Sequence, residues 1–270
     1  NNYLNCPLRF YYQNLIRVPA AKNESMAFGS AIHWSIERLF TKMRENQNIF
    51  PPKEDLVNDF NWYMKNNREA FTLEAFKLKT DYGEKILPAY YEYHINEWNK
   101  IVVVEKAVRN VTVQGVPING KLDKLEFTGK QVNVVDYKTG KYENAKKKLV
   151  PPNEKEPNGG DYWRQAVFYK ILLDNDRSND WQAVSTEFDF IEPVNEEFKT
   201  EKVEVNAADI TTVTQQIVTI WQKIQNKEFK IGCGKSDCDW CNFVKSNNLA
   251  VTLHPTDEEE LSIFSEPVTD

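Results

Sequence analysis

The sequence predicts an α/β fold, a β-sheet flanked by helices behind a largely helical N-terminal region, and three observations predict it. Residues 26–46 carry apolar side chains at helical spacing (Ile32, Ile36, Leu39, Phe40, Met43), and a second helical pattern covers residues 56–98. From Ile101 the pattern becomes that of strands, through Val104, Val108, Val111 and Val113. An amphipathic helix over 162–173 then precedes an alternating strand over 183–191, with Val184, Thr186, Phe188 and Phe190 in step.

In chain order, residues 2–6 read as helix, so the sequence is expected to be a piece cut from a longer protein. The two helical regions follow, then strands over 101–113, 116–126 and 131–137, punctuated by Gln114-Gly115 and Gly129-Lys130. Residues 143–161 hold three prolines, two adjacent glycines and many charges, the composition of a mobile loop. After the helix at 162–173 and the strand at 183–191, residues 201–205 suit a partner strand and 207–227 a last long helix. A cysteine-rich turn, a short helix at 240–246 and an acidic tail over 251–270 complete the chain, the tail having the composition of disorder. One domain is expected over 1–250: a mostly helical part at 25–100, the core at 101–205, and the C-terminal helix and cysteine segment at 207–246. Internal repeats are absent from the sequence.

The 270 residues, 41% hydrophobic with 7 Trp, 12 Tyr and 15 Phe, suffice for a packed core. Neither an apolar run near 18 residues nor a charged-then-apolar leader is present, so the expectation is no membrane partner and a cytoplasmic location. A formal charge of −6 argues against nucleic-acid binding over the whole surface. Charge is uneven, however: Lys138, Lys141, Lys146, Lys147 and Lys148 gather within one stretch. They are either a basic rim suited to a DNA substrate or a solvated loop.

Chemistry concentrates in one hairpin. With Gly129-Lys130 as a two-residue turn, glycine first, Asp123 lies directly opposite Asp136, and Lys138 shares the face of Asp136. Opposed like charges destabilise a sheet by a fraction of a kcal/mol or more. A bound divalent cation would supply the reason for the pair. Two carboxylates offer hard oxygen ligands suited to Mg²⁺ or Mn²⁺, and a lysine beside them can stabilise developing negative charge, the outline of a metal-dependent phosphodiesterase. The plainer alternative is a surface hairpin with an ordinary Asp136/Lys138 pair. His33 and Glu37 sit one turn apart on a helix, as do Gln165 and Tyr169. Four cysteines, Cys6, Cys233, Cys238 and Cys241, complete the candidate residues.

Five motifs in order carry a resemblance: Tyr3-Leu4-Asn5-Cys6-Pro7-Leu8-Arg9-Phe10-Tyr11, Gly29-Ser30-Ala31-Ile32-His33, Asp123 with Asp136-Tyr137-Lys138, Gln165-Ala166-Val167-Phe168-Tyr169, and the C-terminal cysteines. The chain resembles the PD-(D/E)XK nucleases, and within them the RecB/AddB-type branch. That resemblance implies a restriction-endonuclease-like core, with a central mixed sheet between helices, and catalytic roles for Asp123, Asp136, Lys138, Gln165 and Tyr169. It implies a metal site from His33, Asp123, Asp136 and the backbone carbonyl of Tyr137, with Arg164 and Lys141 able to contact DNA. It also implies that the cysteines hold a [4Fe-4S] cluster, closing a loop of more than 220 residues whose entropy cost is about 5 kcal/mol. Here the family spacing C-x2-C-x5-C becomes C-x4-C-x2-C, with Asn247 where the last cysteine would stand. Zn²⁺ satisfies the same ligand count, and four reduced thiols are the third alternative. The function implied is a Mg²⁺- or Mn²⁺-dependent deoxyribonuclease, an exonuclease processing DNA ends in recombination and repair with a helicase domain or subunit as partner. The rivals are a CRISPR-associated nuclease of the same fold and a non-cleaving module that binds DNA ends.

Overall fold

Pro7 has no amide proton with which to continue a helix begun at Asn2, but its fixed φ suits a first helical position. In the computed structural model the first segment accordingly divides into α1 (Asn2–Asn5) and α2 (Pro7–Phe10), followed by a π turn, Tyr11–Ile16. The structure describes residues 1–19 and 23–249, and the acidic tail read at 251–270 lies outside the described residues. Helix α3 (Glu24–Glu45) starts where the Asn23 side chain accepts the Met26 amide at 2.7 Å. The long pattern at 56–98 proves to be two helices, α4 (Lys53–Asn66) and α5 (Leu73–His94). Thr72 caps the second by accepting the Ala75 amide, which is why the chain breaks there.

The sheet comprises β1 (Val102–Val113), β2 (Val116–Thr128), β3 (Gln131–Lys138), β4 (Gln182–Val194) and β5 (Glu197–Val203), in that spatial order. It is mixed: β3 and β4 run parallel and the other neighbours antiparallel. Parallel neighbours need a crossover, and α7 (Asp161–Asp174) supplies it. The stretch expected to be loop from residue 143 instead opens with a short helix, α6 (Tyr142–Lys146), and β5 begins four residues before the expected 201. Helices α8 (Ala207–Gln225) and α9 (Asp239–Ser246) follow.

The chain divides into two compact units, Asn1–Ala20 with Gln215–Asp270, and Ala21–Thr214. In the second, α3, α4 and α5 bury Ile32, Ile36, Leu39, Phe40, Leu56, Phe60 and Leu87 in one core with Val135 and Tyr137 of β3. A separate core joins Ala145 and Ala166 of α6 and α7 to Phe188 and Phe190 of β4. Helices thus cover the sheet as expected for the α/β class. In the first unit, Leu8, Tyr12 and Val244 pack around the cysteines, and the Tyr12 ring stacks on Trp240 at 5.0 Å.

The β2–β3 register is the one the turn predicts, from Thr128↔Gln131 to Lys124↔Val135, with Gly129 at φ 62. There the ladder stops. Toward β1, Val104↔Lys124 and Lys106↔Leu122 pair, while Glu105 between them has φ 52, a conformation rare for a side chain of its type. Asp123 therefore sits where β2 is released from both neighbours.

Behind these strands lies a buried polar layer. Lys124, 2% exposed, pairs with Glu126 at 2.8 Å and lies over the rings of Phe40 and Tyr137. The Tyr90 hydroxyl donates to Asp189. Burial raises the Asp189 pKa to about 6, against the Tyr90 hydrogen bond and the Lys124 charge. A carboxyl whose folded pKa exceeds its unfolded value stabilises the fold below the unfolded value, and loses that contribution as pH rises through the folded one. Nearby His94, held down to about 4 by burial and by Lys124, acts oppositely as pH falls. A difference between variants cancels the His94 contribution. Relative to the wild type, Asp189→Asn is expected to gain about 2 kcal/mol of stability between pH 4 and pH 8. Urea unfolding at the two values checks it; a pH-independent difference contradicts it.

Candidate active site and cysteine centre

At the fork where β2 leaves β3, four elements bring the expected residues together. His33 comes from α3, Asp123 from β2, Asp136, Tyr137 and Lys138 from β3, and Gln165 and Tyr169 from α7. The Tyr137 amide donates to Asp123 Oδ2 at 3.1 Å, and His33 Nδ1 lies 3.2 Å from the same oxygen. Asp136 is buried, at 3% exposure. Its Oδ1 accepts the Tyr169 hydroxyl at 2.7 Å and Gln165 Nε2 at 2.9 Å. Lys138 Nζ donates to Gln165 Oε1 at 3.0 Å and forms an ion pair with Asp136 Oδ2. That ammonium is the partner of Oδ2, as Tyr169 and Gln165 are of Oδ1.

Environment separates the two carboxylates. Burial pushes the Asp136 pKa up, and the Asp123 charge adds to this against Lys138. For Asp123 burial is outweighed by the His33 hydrogen bond and charge, the Tyr137 amide and Lys138, so its pKa falls. The His33 pKa is raised: burial opposes charge there, but the bond to Asp123 and the fields of both carboxylates prevail. Burial and Asp136 raise the Tyr169 pKa too, keeping it a hydrogen-bond donor. These groups fit a divalent cation. Two close carboxylates with an imidazole beside them are a donor set of the kind a divalent cation takes, and in this arrangement the Lys138 ammonium faces Asp136 Oδ2 while His33 Nδ1 faces Asp123 Oδ2.

Other candidates are placed differently. Arg164, read as a DNA contact, is 7% exposed and is turned onto the Gly159 carbonyl and Asp161, with the Asn158 carbonyl at 3.3 Å. Its guanidinium braces the turn into α7 and is withdrawn from solvent. Lys141 is exposed at the start of α6, and Lys146, Lys147 and Lys148 are exposed as well. Glu37 is partly exposed. Sequence reasoning missed Lys124 and Asp189; the available signal was an acid between two aromatics, Phe188-Asp189-Phe190, in a strand pattern.

In the other unit Cys6, from the α1–α2 junction, meets Cys233, Cys238 and Cys241. All four are unpaired by disulfide, and their sulfurs lie within 4.8 Å of one another. Cys6 to Cys241 and Cys233 to Cys241 are each 3.8 Å. Burial and the neighbouring sulfurs push the Cys241 thiol up to about 12, while hydrogen bonds from Cys241 and the other thiols lower Cys238 despite its burial. Crowded, desolvated thiols of this kind suit a metal that takes them as thiolates. Ligands sharing one tetrahedral ion at about 2.3 Å stand about 3.8 Å apart. Four thiolates each on its own iron of a cluster stand farther apart.

Among the described residues no helix is long and apolar enough to cross a membrane. The family model described as the PD-(D/E)XK nuclease superfamily matches residues 1–246. No curated protein matches the chain. Among solved structures, a candidate exonuclease from Eubacterium rectale is similar at 12% identity and TM-score 0.46, covering 95% of this chain and 86% of its own. The protein SSO0001 is similar at 13% identity and TM-score 0.31, covering 83% and 86%.

Proposed function

The chain belongs to the PD-(D/E)XK nuclease superfamily, and from that premise we propose that it is a Mg²⁺- or Mn²⁺-dependent deoxyribonuclease acting at DNA ends as an exonuclease. The observation that carries the reading is the convergence of His33, Asp123, Asp136 and Lys138 at one fork in the sheet. A divalent ion held by Asp123, Asp136, His33 and the Tyr137 carbonyl would polarise the scissile phosphate and furnish a hydroxide near neutral pH. The chain's own groups do the rest. Tyr169 and Gln165 fix Asp136 through Oδ1, while Oδ2 faces Lys138 and is the oxygen that would turn to a divalent ion when one binds. Gln165 also holds Lys138, whose ammonium orients the attacking water and offsets charge gathering on the phosphate.

A RecB/AddB-type role beside a helicase domain or subunit, in the recombination and repair of cytoplasmic DNA, is the biological setting that fits the five ordered motifs. For the cysteine centre the 3.8 Å sulfur pairs support a single tetrahedral ion, zinc, over the [4Fe-4S] cluster implied by the family. Its part would be architectural.

The test is incubation of the chain with end-labelled linear DNA and covalently closed circular DNA, in Mg²⁺, Mn²⁺ or EDTA. Metal-dependent loss of linear DNA with circles spared is the expected result. Equal cutting of circles replaces exonuclease by endonuclease, and no cutting of either substrate by folded chain in both metals overturns the nuclease reading.

A further inference from the structure

Next to His33 on α3 stands Trp34, and it does not turn into the core with Ile32 and Ile36. Its ring stacks on Trp62 of α4, with centroids 4.9 Å apart and planes at 21°, and Tyr63 supports it from 5.5 Å. Trp62 is 56% exposed, an unusual setting for the largest apolar side chain. The stack therefore has one end braced by the protein and one open to solvent. Arg38 lies one turn beyond Trp34 and Lys65 three residues beyond Trp62, each on the same side of its helix. Neither belongs to an ion pair among the described residues, whereas the nearby acid Asp59 is taken by Lys42 at 2.7 Å. Trp163, the other tryptophan close to the site in sequence, is 4% exposed and cannot serve this purpose.

A flat aromatic face flanked by uncommitted cations matches a base with its phosphates, since stacking meets the base while the cations meet the backbone. A base held in a duplex has no free face to offer. Resting on the nuclease reading, we propose that Trp34 and Trp62 form a stacking platform for an unpaired nucleobase of single-stranded DNA beside the catalytic fork. The preferred substrate is then a strand with at least its terminal bases unpaired, such as an overhang or a frayed end.

Binding in EDTA separates this from cleavage. Fluorescence anisotropy of a labelled oligothymidylate, and of an abasic oligomer of equal length, is measured with the wild type, Trp62→Ala and Trp62→Phe. Trp62→Ala is expected to weaken oligothymidylate binding roughly ten- to hundred-fold and leave abasic binding unchanged, with Trp62→Phe restoring most of the loss. Wild-type affinity in Trp62→Ala, or an equal loss on both oligomers, overturns the platform. If Trp62→Ala binds as the wild type and cleavage persists, the nuclease reading stands without it; if the wild type neither binds nor cleaves, both fall. A protein occupant would appear as an aromatic patch indifferent to both oligomers, which also overturns the proposal.

Discussion

Asp136→Asn is expected to abolish cleavage, by about a thousand-fold or more, while leaving the melting temperature nearly unchanged. The substitution keeps the side-chain volume and an acceptor oxygen for Tyr169 and Gln165. It removes the negative charge and the second carboxylate oxygen, the two properties a divalent ion requires. An Asp136/Lys138 pair that merely held the hairpin together would behave in reverse, losing stability with little change in turnover. Lys138→Ala should lower turnover by about a hundred- to ten-thousand-fold, with Mn²⁺ still bound, because lysine offers no ligand to the ion. Cleavage kinetics with calorimetric Mn²⁺ titration of both variants distinguish the roles. Near wild-type turnover in Asp136→Asn would remove this residue from the site.

The second large effect is expected at the cysteine centre. Cys241 is within 3.8 Å of both Cys6 and Cys233, so Cys241→Ser should expel the bound ion. The unit formed by residues 1–20 and 215–270 should then lose at least about 5 kcal/mol of stability, since ion binding there is also folding energy. Elemental analysis should return one zinc per wild-type chain and none in the variant, with a strong chelator reproducing the loss. A brown protein with four irons per chain would overturn the single-ion reading, and a metal-free wild type of equal stability would overturn both.

The legible parts of the fold were those fixed by local chemistry. Gly129 accepts a positive φ and so sets the hairpin and its register as far as Lys124↔Val135, one step short of the opposition of Asp123 and Asp136 that the turn implied. Period-2 and period-3.6 patterns located the strands and the major helices. What escaped were features decided by packing. Lys124 and Asp189 are charged residues that strand alternation cannot assign to an interior, yet both are buried. Ladder opening at Asp123 depends on the irregular backbone at Glu105, which no propensity marks. The break between α4 and α5 turns on the Thr72 cap, hidden within an apolar pattern that continues on both sides. The resemblance implies that Arg164 is able to contact DNA; its carbonyl and Asp161 partners arise from a glycine turn visible only once folded. Trp34 and Trp62 are 28 positions apart, and nothing in their spacing pairs them.

Cys6 and the trio at 233–241 also set a load path. With a metal bound there, tension applied to the chain on either side of that interval, as when a motor draws in DNA or a protease pulls on a terminus, would run through the four sulfurs. The intervening residues, sheet and candidate site included, would then bear no force until a metal–sulfur bond parted. The weakest mechanical element would then be the centre itself, and its rupture force, more than the strength of the sheet, would govern how the protein yields to pulling.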